Sequence, residues 1–118
     1  MNIEEIRDYC LSKKSVTEGM PFGDDTLVFK VAGKMFLLAS MDGPLTINIK
    51  ASPEEVIDRI EHYSEASPGY HMNKKHWITV NLDIPVDEKR IQQWIDRSYL
   101  LVIESLSAKV KIEFGLDS

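Results

Sequence analysis

The sequence is short of cysteine, of long apolar runs and of a secretion signal. Its one cysteine, Cys10, excludes an internal disulfide. No apolar run approaches the roughly 20 residues that a membrane-spanning helix needs. The acidic start of the chain lacks the apolar segment of a signal peptide. These absences predict a cytoplasmic protein that makes no contact with membranes.

Catalytic, cofactor and metal signatures are also missing. The chain has no phosphate-binding glycine loop, no G-x-S-x-G nucleophile turn and no H-E-x-x-H zinc motif. His62, His71 and His76 do not have the spacing of a zinc site. Cys10 lies on the apolar stripe of a predicted helix, where a free thiol usually behaves as a small hydrophobic group. We therefore expect a protein that is not an enzyme, with no cofactor and no metal.

Basic residues are outnumbered by acidic ones. The chain has 14 lysines and arginines against 19 aspartates and glutamates, which gives a net charge of −5 at pH 7. This balance argues against a protein that binds nucleic acid over its whole surface, but it allows a local basic patch. A hydrophobic content of 43% and a charged content of 28% are typical of globular proteins. The length predicts a single domain over residues 1–118.

The first half of the chain predicts one helix followed by an antiparallel meander. Residues 2–13 begin with an asparagine N-cap and carry one apolar stripe. Residues 17–23 then break any helix with two glycines and a proline. Strand-like runs at 26–31, 34–40 and 45–50 follow, with an Ala-Gly turn and an Asp-Gly turn between them. Such turns predict hairpins.

The second half predicts a helix, a strand and a longer helix. Ser52 is an N-cap with proline next to it and Glu55 in the capping-box position. Residues 77–82 alternate like a strand, and Asp87 begins a helix that continues to about Leu106. The tail fits a strand or a helix equally well. The order α-β-β-β-α-β-α predicts an α+β two-layer sandwich, in which helices cover one face of an antiparallel sheet.

Alternation along the predicted strands assigns side chains to the two faces of the sheet. The residues expected to point inward are Leu27, Phe29, Val31, Phe36, Leu38, Leu45, Ile47, Ile49, Ile78, Val80 and Leu82. The residues expected to point outward are Val28, Lys30, Met35, Leu37, Thr46, Asn48, Lys50, Trp77, Thr79 and Asn81. Polar outward residues are usually only solvated. A tryptophan among them indicates a binding face, because aromatic side chains are enriched at contact sites.

The segment with the densest chemistry is residues 68–77, PGYHMNKKHW. It holds two lysines, two histidines and two aromatic residues, and no acid. Lysines neutralise phosphates, aromatic rings stack on bases, and Asn or His side chains donate hydrogen bonds. The predicted nucleic-acid-binding residues are Lys30, Lys34, Lys50, Tyr70, His71, Asn73, Lys74, Lys75, His76 and Trp77. The alternative interpretation is an ordinary solvated loop whose aromatic residues close the edge of the core.

Three segments carry a resemblance to a known family. Residues 21–36, PFGDDTLVFKVAGKMF, resemble the opening of the MmcQ/YjbR family, and PGYHMNKKHW resembles its most recognisable motif. Residues 96–102, DRSYLLV, are similar to its long-helix signature. The resemblance implies a fold like CyaY, the bacterial frataxin. It also implies a DNA-binding protein with a "double wing" motif, and it implies no catalytic residues.

Two classes of function follow. The first is a nucleic-acid-binding module that uses the basic loop and the sheet hairpins, with DNA as the expected partner. The alternative is a protein- or ligand-binding module on the exposed sheet face around Trp77. A subordinate version of the alternative is a frataxin-like iron site, because carboxylates suit hard cations. The acidic residues available for it are Glu4, Glu5, Asp8, Glu18, Asp24 and Asp25.

Overall fold

The computed structural model describes residues 1–70 and 72–117, which form an antiparallel sheet with helices packed on one face. The helices within these ranges are α1 (Ile3–Leu11), α2 (Pro53–His62), α3 (Glu88–Glu104) and α4 (Ala108–Glu113). The strands are β1 (Val16–Gly19), β2 (Thr26–Val31), β3 (Lys34–Ser40), β4 (Thr46–Lys50), β5 (Ala66–Pro68) and β6 (Trp77–Asn81). The predicted α+β class is confirmed. Among the described residues, no helix combines the length and the apolar character needed to cross a membrane.

The sheet has the strand order β1-β2-β3-β4-β6-β5, and each neighbouring pair is antiparallel. The predicted meander forms β2, β3 and β4. Ala32 and Gly33 both have positive φ in the turn between β2 and β3, as a type I′ hairpin turn requires. Gly43 also has positive φ in the next turn. The local turn chemistry therefore specifies this part of the sheet.

The predicted element order was wrong in missing two strands, and the open question of the tail is resolved as a helix. β1 was missed because only one of its four residues is apolar, and it is a strand through its pairing with β2. β5 has three residues and ends at Pro68, which strand patterns disfavour. The tail forms α4, where the Ser107 hydroxyl caps the helix by accepting from the Val110 N–H. Short edge strands of this kind cannot be predicted from their own residues, because it is pairing with a neighbouring strand that makes them strands.

The facing of two β3 residues was also predicted wrongly. A register shift leaves Phe36 without a partner, because Phe29 pairs with Leu37 while Lys30 pairs with Met35. This β-bulge places an extra residue in β3 and reverses the alternation after it. Leu37 is therefore buried in the core, and Leu38 lies on the opposite face of the sheet.

The core lies between the sheet and the helices. It joins one face of the central strands to apolar residues of α1, α2 and α3, and it includes the Cys10 side chain. Ser98 on α3 connects helix and sheet directly: its hydroxyl donates to the Phe36 carbonyl oxygen at 2.6 Å and accepts from the Lys50 N–H at 2.8 Å. One hydroxyl thus provides hydrogen-bond partners for two backbone groups beside the bulge.

Candidate binding site on the open face of the sheet

The face of the sheet that the helices leave uncovered is here called the open face. Strand register places on it Thr17, Gly19, Thr26, Val28, Lys30, Met35, Leu38, Ser40, Thr46, Asn48, Lys50, Ser67, Trp77, Thr79 and Asn81. None of these strand residues is an aspartate or a glutamate. The chain has 19 acidic residues, so the absence of carboxylates from these strand positions sets the open face apart from the rest of the protein.

The cations on the open face share one end of the sheet. Lys30 pairs with Met35, and Lys50 pairs with Trp77. β2 and β4 finish at this end, whereas β3 and β6 begin there. The register thus brings two predicted phosphate-binding lysines and the predicted stacking residue to one end. Lys34 is different, because it pairs with Val31 and takes the register of the helix-covered face.

The loop before β6 is held to the sheet by backbone contacts. The Gly69 N–H donates to the Trp77 carbonyl oxygen at 3.2 Å, and a Cβ at position 69 would lie 2.9 Å from the Trp77 Cβ and oxygen. Only glycine allows this approach. The next N–H, of Tyr70, donates to the Thr79 hydroxyl at 3.0 Å. These contacts place the Tyr70 ring, 71% exposed, beside the open face.

Asn73 shapes the same loop rather than presenting a free side chain. Its Oδ1 accepts from the Lys75 N–H at 2.9 Å, as in an Asx turn. Its carbonyl oxygen accepts from the His76 and Trp77 N–H groups at 3.2 and 3.0 Å. A structural role in the turn therefore accounts for the hydrogen bonding of the Asn73 oxygens.

The remaining loop residues divide between two surfaces. Lys50, Asn73, His76 and Trp77 line one hollow of about 430 Å³ beside the start of α2. Lys74 instead lies in a hollow on the other side of the loop, with α2 residues. Lys75 is exposed, and His71 lies outside the described residues. The ten predicted residues thus form no single cluster, although Lys50, His76 and Trp77 do come together.

A groove of about 470 Å³ lies on the open face and was not predicted. Its lining residues are Phe22, Thr26, Met35, Leu38, Ser40, Asn48, Tyr70 and Met72. Only Tyr70 among them was a predicted site residue. Phe22, 61% exposed, comes from the loop between β1 and β2, and Tyr70 from the loop before β6. The one sequence signal for this groove was Phe22, an aromatic residue between Pro21 and Gly23 in the segment that breaks the first helix.

The groove contains side-chain groups with unused hydrogen-bonding capacity. Asn48 Oδ1 accepts from the Thr79 hydroxyl at 2.8 Å. Among the described residues, the Asn48 amide nitrogen and the Ser40 and Thr26 hydroxyls have no side-chain hydrogen bond. Apolar walls with a few polar groups that point at the space are the usual composition of a ligand site.

The Cys10 thiol and two of the carboxylates considered for an iron site have structural roles or surroundings that account for them. Burial raises the pKa of the Cys10 thiol to about 12, which keeps it protonated. Of the acidic candidates for an iron site, Glu18 pairs with the Arg7 guanidinium at 2.5 and 3.0 Å. Glu5 completes the capping box of α1. Within residues 1–70 and 72–117, no group of three or more His, Cys, Asp or Glu side chains is placed to hold a metal ion.

Comparison with known proteins gives one consistent result. The sequence model of the YjbR family matches residues 11–101. The protein YbdF of Escherichia coli O157:H7 is 39% identical over 90 residues, which cover 75% of this chain and 74% of YbdF. YjbR of Escherichia coli K12 is 27% identical over 107 residues, covering 90% and 91%. Both relatives are named uncharacterized proteins, so their names state no ligand and no activity.

Solved structures agree with these relatives. The crystal structure of Deinococcus radiodurans protein DR2400, described as a DUF419 domain, superposes with a TM-score of 0.90 at 36% identity. The match covers 99% of this chain and 91% of that one. A crystal structure of a Pseudomonas syringae protein matches with a TM-score of 0.75 at 30% identity, covering 86% and 98%. The fold described above is therefore one that related sequences adopt.

Proposed function

This chain belongs to the YjbR family, and from that premise we propose that it is a non-catalytic module that binds nucleic acid through the open face of its sheet. The observation that carries the proposal is the distribution of charge. The chain has a net charge of −5, yet the strand residues of the open face include two lysines and no carboxylate. A local positive surface of this kind attracts phosphates even on an acidic protein.

The arrangement on this face suits a chain of nucleotides. Lys30 and Lys50 lie at one end of the sheet, where they contact phosphates. Trp77 lies in the same row of the sheet, and the exposed Tyr70 and Phe22 rings line the groove on the same face. Aromatic rings on a positively charged surface stack on bases with little preference for sequence.

The test is fluorescence anisotropy with labelled single- and double-stranded DNA and RNA at about 50 and 200 mM salt, where phosphate contacts become visible. Two or three phosphate contacts predict that log K falls against log salt with a slope of about −2. A Lys30→Glu, Lys50→Glu variant should bind at least about tenfold more weakly, because both phosphate contacts become repulsive.

A matched variant controls for the change in net charge. Lys109→Glu, Lys111→Glu makes the same change on α4, outside the open face, and should bind as the parent does. Equal losses in the two variants would mean that only net charge matters. No binding of any probe at the lower salt would contradict the proposed function.

The groove favours the second candidate function, a protein or ligand partner on the same face. Its walls are mostly apolar, and two of its rings are exposed. The two candidates differ in their response to salt. Phosphate contacts weaken as salt rises, whereas apolar docking does not. The same titration therefore distinguishes them.

A further inference from the structure

We propose that the open-face groove holds one unstacked nucleobase of a bound single strand, with its carbonyl edge against Asn48. This inference rests on the proposed function and adds the position and chemistry of a subsite. The groove measures about 470 Å³, within the range of roughly 300–1,000 Å³ usual for small-molecule sites. It therefore has room for a base and part of its sugar.

The upper walls of the groove are two exposed rings from separate loops. Phe22 is 61% exposed and Tyr70 is 71% exposed, and both line the groove. Large apolar rings are costly to leave in water, and a flat heterocycle covers them well. Stacking on such rings is a common way for proteins to hold unpaired bases. Met35 and Met72 add adaptable apolar surface.

A chain of hydrogen bonds sets which atoms of Asn48 face the groove. The Tyr70 N–H donates to the Thr79 hydroxyl, and that hydroxyl donates its one hydrogen to Asn48 Oδ1. The Asn48 oxygen is thereby occupied, so the side chain presents its NH₂ group to the groove. An NH₂ group donates to a carbonyl oxygen. Thymine, uracil, guanine and cytosine carry such an oxygen on the base edge. Adenine carries none, and the bidentate contact that asparagine makes to adenine N6 and N7 needs the Asn48 oxygen that Thr79 occupies.

The lysines are placed to hold the phosphates that flank such a base. Met35, in the wall of the groove, pairs with Lys30 across β2 and β3. Lys50 follows Asn48 by two residues on β4, so their Cα atoms are about 7 Å apart on the same face. Charge and apolar groove thus form one continuous surface.

The experiment compares a labelled ten-nucleotide thymidine strand with an abasic strand of equal length, by anisotropy at about 50 mM salt. The parent should bind the thymidine strand at least about tenfold more tightly, the scale of one stacking contact. Phe22→Ala, Tyr70→Ala should reduce that preference at least about fivefold, with Trp77 still in place, and leave the salt slope unchanged. Phe114→Ala, on an exposed ring beyond α4, is the matched control and should keep the preference.

A second measurement tests the role of Asn48. The ratio of thymidine-strand to adenosine-strand affinity is measured in the parent and in Asn48→Ala. Base stacking within the free strands affects both ratios equally and cancels when the two proteins are compared. One lost hydrogen bond should reduce the ratio about fivefold. An unchanged ratio would overturn the assignment of the carbonyl edge to Asn48.

The outcomes separate this inference from the proposed function. Equal binding of the thymidine and abasic strands by the parent overturns the base subsite and leaves the phosphate-binding face in place. A base preference that is not reduced in Phe22→Ala, Tyr70→Ala shows that the base lies elsewhere and also overturns the subsite. Failure of both strands to bind overturns the subsite, and failure of every DNA and RNA probe at the lower salt overturns the proposed function itself.

Discussion

The helix-covered face and the open face of the sheet both contain polar side chains, but those side chains are used differently. On the helix-covered side they bond to the protein. Ser98 joins α3 to backbone groups of β3 and β4. Glu55 accepts from Arg97 Nε at 3.1 Å, and buried Glu65 pairs with Arg90 at 2.6 Å.

On the open face, several polar groups have capacity left over. Asn48 uses its oxygen on Thr79, while its NH₂ group lines the groove. Ser40 and Thr26 line the same space. Apolar residues follow the same division: Phe29 is fully buried under the helices, and Phe22 is mostly exposed.

This difference indicates that the helix-covered face stabilises the fold and that the open face is available for binding. A polar group that is buried and paired is expensive to disturb, whereas an exposed group with unused capacity can exchange water for a ligand. Substitutions under the helices should therefore lower the free energy of unfolding. Equivalent substitutions on the open face should change binding and leave that free energy nearly constant.

The largest expected contrast is between two phenylalanines. Phe29→Ala removes a fully buried ring and leaves a cavity, so the free energy of unfolding should fall by about 3–5 kcal/mol. Phe22→Ala should change it by less than about 0.5 kcal/mol, because the ring is exposed. Urea denaturation of both variants measures the difference. A similar loss in the two would show that the loop of Phe22 is part of the stabilising core.

A smaller contrast is expected between two serines. Ser98→Ala leaves the Phe36 carbonyl and the Lys50 N–H without their hydroxyl partner, which should cost about 1–3 kcal/mol. Ser40→Ala should stay within about 0.5 kcal/mol of the parent. Thermal and urea denaturation check both values. If Ser98→Ala is neutral, the bulge does not depend on that hydroxyl.

The smallest contrast is between two glutamates and depends on pH. Burial acts to raise the pKa of Glu55, but hydrogen bonds from Ser52 and Arg97 outweigh it, and the net pKa is lowered. Because the pKa is lowered, the ionised side chain stabilises the fold at pH values above its unfolded pKa of roughly 4.3. That stabilisation is lost as the pH falls through its pKa in the folded protein.

Glu55→Gln should therefore cost about 1 kcal/mol at pH 7, the upper end for a partly exposed ion pair. The difference from the parent should be smaller at pH 3 than at pH 7, because protonation of Glu55 removes the ion pair. Glu54→Gln, on the exposed side of the same helical turn, is the control and should show neither effect. Urea denaturation at both pH values makes the comparison. A cost that is as large at pH 3 as at pH 7 would exclude the ion pair as its source.

Much of the fold could be predicted because its signals are local. The caps at Asn2, Ser52 and Asp87 each accept backbone hydrogen bonds at the start of the expected helix. The predicted two-residue turn at Ala32-Gly33 forms, with positive φ at both residues. Alternation was correct in β4 and β6, where Ile47 and Val80 are buried. These features depend on neighbours a few residues away, which a sequence displays directly.

The candidate site was harder to predict because it depends on pairing. The sequence indicated the open face, with Lys30, Lys50 and Trp77 on it, but it grouped Lys34 and Lys74 with them. Register places Lys34 on the opposite face, and the loop turns Lys74 toward α2. The groove was missed because no single segment contains it. Its position depends on which strands become neighbours.

By itself, the sequence determined the first three helices, the hairpin meander, the acidic balance and the resemblance to the YjbR family. The tertiary structure alone decided the facing of Leu37 and Leu38, the two edge strands and the groove. The physical reason is the range of the interactions. Caps, turns and periodicity act within a few residues, whereas the Phe36 bulge and the placement of Phe22 and Tyr70 along one groove require contacts between segments far apart in the chain.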